Sequence, residues 1–175
     1  MCGIAGFIDS SLRSTEEDLK KMTDTLVHRG PDDCGYNLTQ NSHCQIGLGH
    51  RRLSIIDITS AGHQPMHFRG LSIVFNGEIY NYREIKNELE ELGFTFESHS
   101  DTEVILKAFH QWGVVAISRF IGMFAFALYN KEKDKLYLIR DRAGVKPLYY
   151  HVNSFGLLFA SELKSFHVHR NFKKE

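Results

Sequence analysis

Apolar positions along the chain follow two rhythms. Short apolar, β-branched or aromatic runs at Ile4–Ile8, Ile46–Leu53, Leu71–Phe75, Met123–Tyr129, Lys135–Ile139, Leu148–Val152 and Leu157–Ala160 are separated by polar or glycine turns and predict strands. Helical spacing appears three times. Leu19, Met22 and Leu26 follow a Ser14/Glu17 capping-box pattern and predict a helix that stops before the turn at His28-Arg29-Gly30-Pro31-Asp32. Tyr82, Ile85, Leu89 and Leu92 form one face of a second helix closed by Gly93. A Ser100/Glu103 capping box opens a third, with Val104, Ile105, Ala108 and Trp112 inward. Strands outnumber helices, and the order is not a regular βαβα alternation, which favours an α+β fold with largely antiparallel sheets.

Composition narrows the function classes. At 175 residues the chain is the size of one domain. Lys+Arg and Asp+Glu are 21 each, so there is no basic surplus to neutralise nucleic-acid phosphates, and no nucleic-acid partner is expected. The longest apolar stretches, such as Met123–Tyr129, fall far short of the ~20 residues of a membrane helix. No basic segment followed by an apolar block marks a secretory signal. Three cysteines make no disulfide framework, and a reducing, cytoplasmic setting is the simplest reading. The ten histidines show only pairwise spacing, as at His63/His67 and His167/His169, so no metal site is expected. No Walker-type glycine loop is present, so ATP is not expected to bind this chain.

Candidate chemistry begins at the terminus. Cys2 follows the initiator methionine, and removal of Met1 would leave a thiol and a free α-amine on one residue. The α-amine titrates near neutrality, with a reference pKa of about 7.7–8.0, and can serve as a general base for its own thiol. By position alone, Cys2 reads first as a small buried residue opening a strand. Asn76-Gly77 offers an amide donor and a closely approachable backbone, but the dipeptide also suits a type I′ hairpin turn. Arg51 and Arg52 fall on opposite faces of a strand, so only one can enter a site. Asp101 sits where an acid at a helix start is favoured by the dipole alone.

Several motifs then occur in order. Met1-Cys2-Gly3-Ile4-Ala5-Gly6 is followed by His28-Arg29-Gly30-Pro31-Asp32, by His50-Arg51-Arg52-Leu53-Ser54-Ile55-Ile56-Asp57, by Phe75-Asn76-Gly77-Glu78-Ile79-Tyr80-Asn81 and by Ser100-Asp101-Thr102-Glu103. Gly122-Met123-Phe124-Ala125-Phe126-Ala127, Arg140-Asp141-Arg142-Ala143-Gly144-Val145-Lys146-Pro147-Leu148-Tyr149-Tyr150 and Ala160-Ser161-Glu162 complete the set. Together they resemble the class II glutamine amidotransferases, a branch of the N-terminal nucleophile hydrolases. Within that family the chain is most similar to the glutaminase domain of the glutamine-dependent asparagine synthetases.

The resemblance implies a sandwich of two stacked antiparallel sheets flanked by helices. It implies glutamine hydrolysis to glutamate and ammonia through a γ-glutamyl thioester on Cys2, with Asn76 and Gly77 as oxyanion donors. Arg52 would hold the α-carboxylate of glutamine, and Asp101, with Glu78, its α-ammonium. Arg29 and Asp32 would border the site or serve the structure. It implies no cofactor for this domain, ATP and magnesium belonging to a synthetase domain absent here. Glutamine and that ATP-using domain or subunit are the expected partners, with no membrane partner, and a homodimer is admitted. Residues 1–175 would form a single glutaminase domain that ends short of the family's usual C-terminal edge. The rivals are a silent glutamine-binding or docking module and a self-processing amide hydrolase.

Overall fold

Among the described residues every strand pairing is antiparallel, and the strands form two sheets. The computed structural model describes residues 1–54 and 60–173, so the Ile55-Ile56-Asp57 end of one motif lies outside the described residues. The first sheet is built from β1 (Gly3–Asp9), β2 (Asp33–Gln40), β3 (Gln45–Arg52), β8 (Tyr149–Asn153) and β9 (Gly156–Ala160), ordered β2-β3-β1-β9-β8. The second contains β4 (Met66–Phe68), β5 (Leu71–Ile79), β6 (Gly122–Asn130) and β7 (Lys135–Arg140), in chain order. Helices α1 (Glu16–Asp24) and α4 (Lys164–His167) cover the outside of the first sheet. Helices α2 (Tyr82–Glu91) and α3 (Asp101–Trp112) cover the outside of the second.

Strand alternation explains why the central strands read as continuous apolar runs. In β1, Ile4 and Ile8 face the opposite sheet, while Ala5 and Phe7 face α1. In β5, Val74 joins the layer between the sheets, and Leu71, Ile73 and Phe75 meet α2 and α3. The inter-sheet layer also takes Ile46 and Leu48 from β3, Ala127 and Tyr129 from β6, and Phe159 from β9.

The expected α+β sandwich is the one found, with local differences. The capping box of α1 is Thr15 with Asp18, one residue after the expected pair. Ser14 is committed elsewhere: its N–H and hydroxyl both donate to the buried Asp9 carboxylate at 2.7 Å. Leu92 lies beyond the end of α2 and is 54% exposed, because Gly93 turns the chain at φ 91°. Ser100 caps α3 by accepting from Thr102 N–H at 3.1 Å. Glu103 does not return to Ser100; it accepts from the N–H groups of Glu97 and Ser98 and pairs with Lys107. Trp112 is half-buried at the edge of the core. β5 runs four residues further than the expected Leu71–Phe75, straight through Asn76-Gly77, which excludes the hairpin-turn reading. β2, of mixed polarity, and β4, three residues long, carry no periodic signal and were not expected.

Candidate active site

The same alternation that builds the core assembles a site at its end. Cys2 has the parity of Ile4, Arg52 that of Ile46 and Leu48, Asn76 and Glu78 that of Val74, and Met123 that of Ala127. All of them lie on the inter-sheet face, just past the last packed apolar residues. There the sheets enclose a cavity of about 160 Å³ lined by Cys2, Arg52, Asn76, Gly77, Glu78 and Asp101 among others. The structure thus brings together all six residues singled out from the sequence.

Cys2 is tied to the chain leaving β3. Its thiol donates to the Leu53 carbonyl at 3.6 Å, and Leu53 N–H donates to Sγ at 3.4 Å. Burial pushes the thiol pKa above its ordinary value, opposed by the Leu53 hydrogen bond. A protonated thiol of this kind needs a base before it can attack. Arg29 fixes the residue from behind. Its Nε donates to the Cys2 carbonyl at 3.0 Å, and its Nη1 to Glu162 at 3.0 Å. Ser161 accepts from Ile4 N–H at 3.0 Å through its hydroxyl. The Ala160-Ser161-Glu162 motif therefore anchors the N-terminal strand. Asp32 accepts from Ser54 N–H at 2.8 Å and holds the segment after Arg52.

Arg51 and Arg52 divide as expected. Arg51 pairs with Asp24 of α1 on the outer face. Arg52 is buried and reaches the cavity. A Cβ on Gly62 would run into the Arg52 guanidinium, so a side chain there would shift the fork.

The open edge of β5 shapes the other wall. β4 covers β5 only from Leu71 to Ile73. Beyond it, Phe75 N–H donates to Gln64 Oε1 at 2.7 Å and Ile79 N–H to Asp101 Oδ2 at 3.0 Å. Tyr80 N–H points the other way, to Ile121 of the β6 side, at 2.7 Å. Backbone direction alternates along a strand, so Gly77 N–H faces the same side as those of Phe75 and Ile79, towards the cavity between them. A Cβ on Gly77 would stand 2.3 Å from the Met123 carbonyl, so a side chain there would push β6 away. Asn76 is 1% exposed, and its side-chain nitrogen has no hydrogen-bond partner among the described residues. A buried amide left unpaired costs about 1–3 kcal/mol, so its retention points to a ligand that completes it.

Asp101 lies at the first turn of α3 and is buried. Desolvation lifts its pKa to about 6, with the Glu78 charge adding to the rise and hydrogen bonds from Ile79 and Thr102 opposing it. Gln64, Thr102 and Lys146 also line the cavity and were not picked out from the sequence. Gln64 and Thr102 reach it only through long-range contacts, at 3.2 Å from each other. Lys146 is presented by a loop tied to Asp141, and its Nζ meets the Met1 sulfur at 3.1 Å. Among the described residues no group of three His, Cys, Asp or Glu side chains is arranged to hold a metal ion, and no helix is long and apolar enough to cross a membrane.

A family model described as glutamine amidotransferase domain matches residues 1–175. Asparagine synthetase [glutamine-hydrolyzing] 1 of Bacillus subtilis (strain 168) is 44% identical over 177 residues, covering 98% of this chain and 27% of that protein. Amidase chry2 of Gibberella zeae is 39% identical over 179 residues, covering 95% of this chain and 26% of that protein. The chain therefore spans about a quarter of the length of these curated relatives. A solved structure of the allosteric regulatory enzyme of purine biosynthesis shares the fold, with a TM-score of 0.81 at 23% identity, covering 95% of this chain and 43% of that one. The sandwich of two antiparallel sheets that the motifs implied is thus the fold shared with that structure.

Proposed function

Because the chain belongs to the glutamine amidotransferase domain family, we propose that it hydrolyses glutamine to glutamate and ammonia, with Cys2, freed of Met1, as nucleophile. The observation that carries this reading is the buried Asn76 amide nitrogen, without a partner among the described residues, on the wall of the cavity that also contains the Cys2 thiol.

The free α-amine of Cys2 takes the thiol proton, and Sγ attacks the side-chain amide carbon of glutamine. Negative charge develops on the amide oxygen, where Asn76 Nδ2 and Gly77 N–H donate to it. The tetrahedral intermediate collapses as the amine's proton passes to the leaving nitrogen, releasing ammonia and leaving a γ-glutamyl thioester. Water, deprotonated by the same amine, then hydrolyses the thioester to glutamate and restores the thiol. Arg52 forks onto the α-carboxylate, and Asp101 with Glu78 receives the α-ammonium. The ammonia passes to an amide-forming region or partner, as the name asparagine synthetase among the relatives suggests, and the resemblance implies that this partner uses ATP. Three free cysteines suit a reducing, cytoplasmic setting. The test is ammonia release from glutamine by the purified chain with its N-terminus verified by intact mass. Glutamine binding without ammonia release would leave only a silent binding module.

Two predictions follow from the charges on the substrate. Arg52→Ala should raise KM for glutamine about 10- to 100-fold with a smaller effect on kcat, since a charge-assisted hydrogen bond contributes about 1.5–3 kcal/mol. Arg51→Ala should leave KM near normal, because its partner is Asp24 outside the cavity. Steady-state kinetics of the two variants decide the matter, and a large KM effect confined to Arg51→Ala would reverse the assignment.

Asp101 sets the acid side of binding. Its pKa of about 6 means that the carboxyl gains a proton and loses its charge as pH falls through 6. KM for glutamine should therefore rise below pH 6, by up to about tenfold per pH unit, while Asp101→Asn should bind weakly with a flatter profile. A pH-independent KM between 5 and 7 in the unsubstituted chain would remove Asp101 from the ammonium site.

A further inference from the structure

The backbone N–H and carbonyl of Phe75, the residue before Asn76, lie on the uncovered edge of β5, and two buried side chains hold them. β4 reaches only to Met66, opposite Ile73, so among the described residues no neighbouring strand meets Phe75 on that side. Phe75 N–H donates to Gln64 Oε1 at 2.7 Å. Its carbonyl lies 3.1 Å from His50 Nε2, and a carbonyl can only accept, so the Nε2–H tautomer of His50 is the donor. Gln64 Nε2 continues to Thr102 Oγ1 at 3.2 Å, next to Asp101 in the first turn of α3. His50 is fully buried, and desolvation holds its pKa near 3, so it is neutral at any working pH. Gln64 is buried as well.

We infer that His50 and Gln64 are positioning residues for the oxyanion donors, clamping the two peptide groups that flank Phe75 so that Asn76 and Gly77 are aimed at the amide oxygen on which charge develops. The inference rests on the glutaminase reading above. A sheet edge without a partner strand would let the backbone at Phe75 rock, and an oxyanion hole acts only if its donors are in place before charge develops. The two side chains substitute for the missing strand with groups of fixed direction, in surroundings where hydrogen bonds are strong. They also connect the two halves of the site, since the chain from His50 through Phe75 to Gln64 and Thr102 joins β3, β5 and α3. Gln64 lines the cavity, but the clamp uses its amide on the backbone.

The test uses the whole chain with a free Cys2 terminus and measures steady-state glutamine hydrolysis and thermal unfolding together. His50→Leu and Gln64→Met should each lower kcat by up to about 10²-fold, the loss expected when donors are misplaced by about 1 Å, with KM nearly unchanged. His50→Gln keeps an N–H of similar reach and should recover most of the rate lost in His50→Leu. A purely structural role would lower the unfolding temperature without this split between kcat and KM and without rescue in kcat. If His50→Leu does not fold, Gln64→Met and His50→Gln carry the test. A folded Gln64→Met or His50→Leu chain with normal kcat would overturn the inference while leaving the glutaminase reading intact. An unsubstituted chain that releases no ammonia would overturn both.

Discussion

Cys2→Ala is expected to abolish ammonia release from glutamine while leaving the fold and the binding of glutamine in place. The substitution removes a single sulfur whose hydrogen bonds to the Leu53 backbone are long ones. The packing of β1 depends instead on Ile4, Ala5 and Phe7, and the anchoring of its start on Arg29 and Ser161, which bind backbone groups. Stability should therefore change little. Turnover should fall by on the order of 10⁶, because in a covalent mechanism the remaining groups have no bond-forming partner to assist. Cys2→Ser is the sharper comparison. It keeps a nucleophile of similar shape, but an alcohol is far harder to deprotonate with an amine of near-neutral pKa, so most of the rate should still be lost. Assays of both variants, with glutamine affinity measured by calorimetry, check the forecast. Substantial turnover by Cys2→Ala would place the nucleophile elsewhere.

Asn76→Asp should lower kcat by about 10²–10³, equivalent to roughly 2.7–4 kcal/mol, with KM changed much less. The amide oxygen of bound glutamine is a weak acceptor, and in the tetrahedral intermediate it becomes a strong one. A donor aimed there acts mainly on the chemical step. The aspartate has nearly the same shape but places an acceptor, and at neutral pH a charge, where the anion forms. Asn76→Ala should be damaging too, though water can partly fill the gap. Stability should respond in the opposite sense. The Asn76 nitrogen is buried without a partner among the described residues, so its removal deletes an unsatisfied donor. Asn76→Ala should unfold at the same temperature or a slightly higher one, the usual exchange between activity and stability at a site. Normal kcat in a folded Asn76→Asp chain would take Asn76 out of the oxyanion role.

Much of this was legible in the sequence because strand alternation is strict. The separation of Arg51 from Arg52 follows from period two alone, and it is found, with Arg51 on Asp24 and Arg52 in the cavity. Three of the four α-helices and most strands follow from apolar spacing, while the four-residue α4 is too short to show a period. Asn76-Gly77 was ambiguous by itself, and only its flanking residues favoured a site over a turn. What escaped notice depends on contacts distant in sequence. The expected cap at Ser14 moved to Thr15 because the buried carboxylate of Asp9, held at a pKa of about 2 by hydrogen bonds from Ser11 and Ser14, had taken that serine. Gln64 sits in an irregular segment with no periodicity, and its role appears only when β4 is seen to stop short of Phe75. Lys146 is delivered by a loop whose shape depends on Asp141 accepting from Phe124, Val145 and Lys146, a pattern no local rule would reveal.

The central claim is that a terminal Cys2 supplies both nucleophile and base, and the most direct measurement compares ammonia release by two forms of the chain. One begins at Cys2, and the other carries one uncleavable residue before it, with both termini confirmed by intact mass. The account predicts turnover from the first and essentially none from the second, since acylating the α-amine removes the base while leaving the thiol, Asn76 and Arg52 in place. Equal rates from the two forms would contradict it.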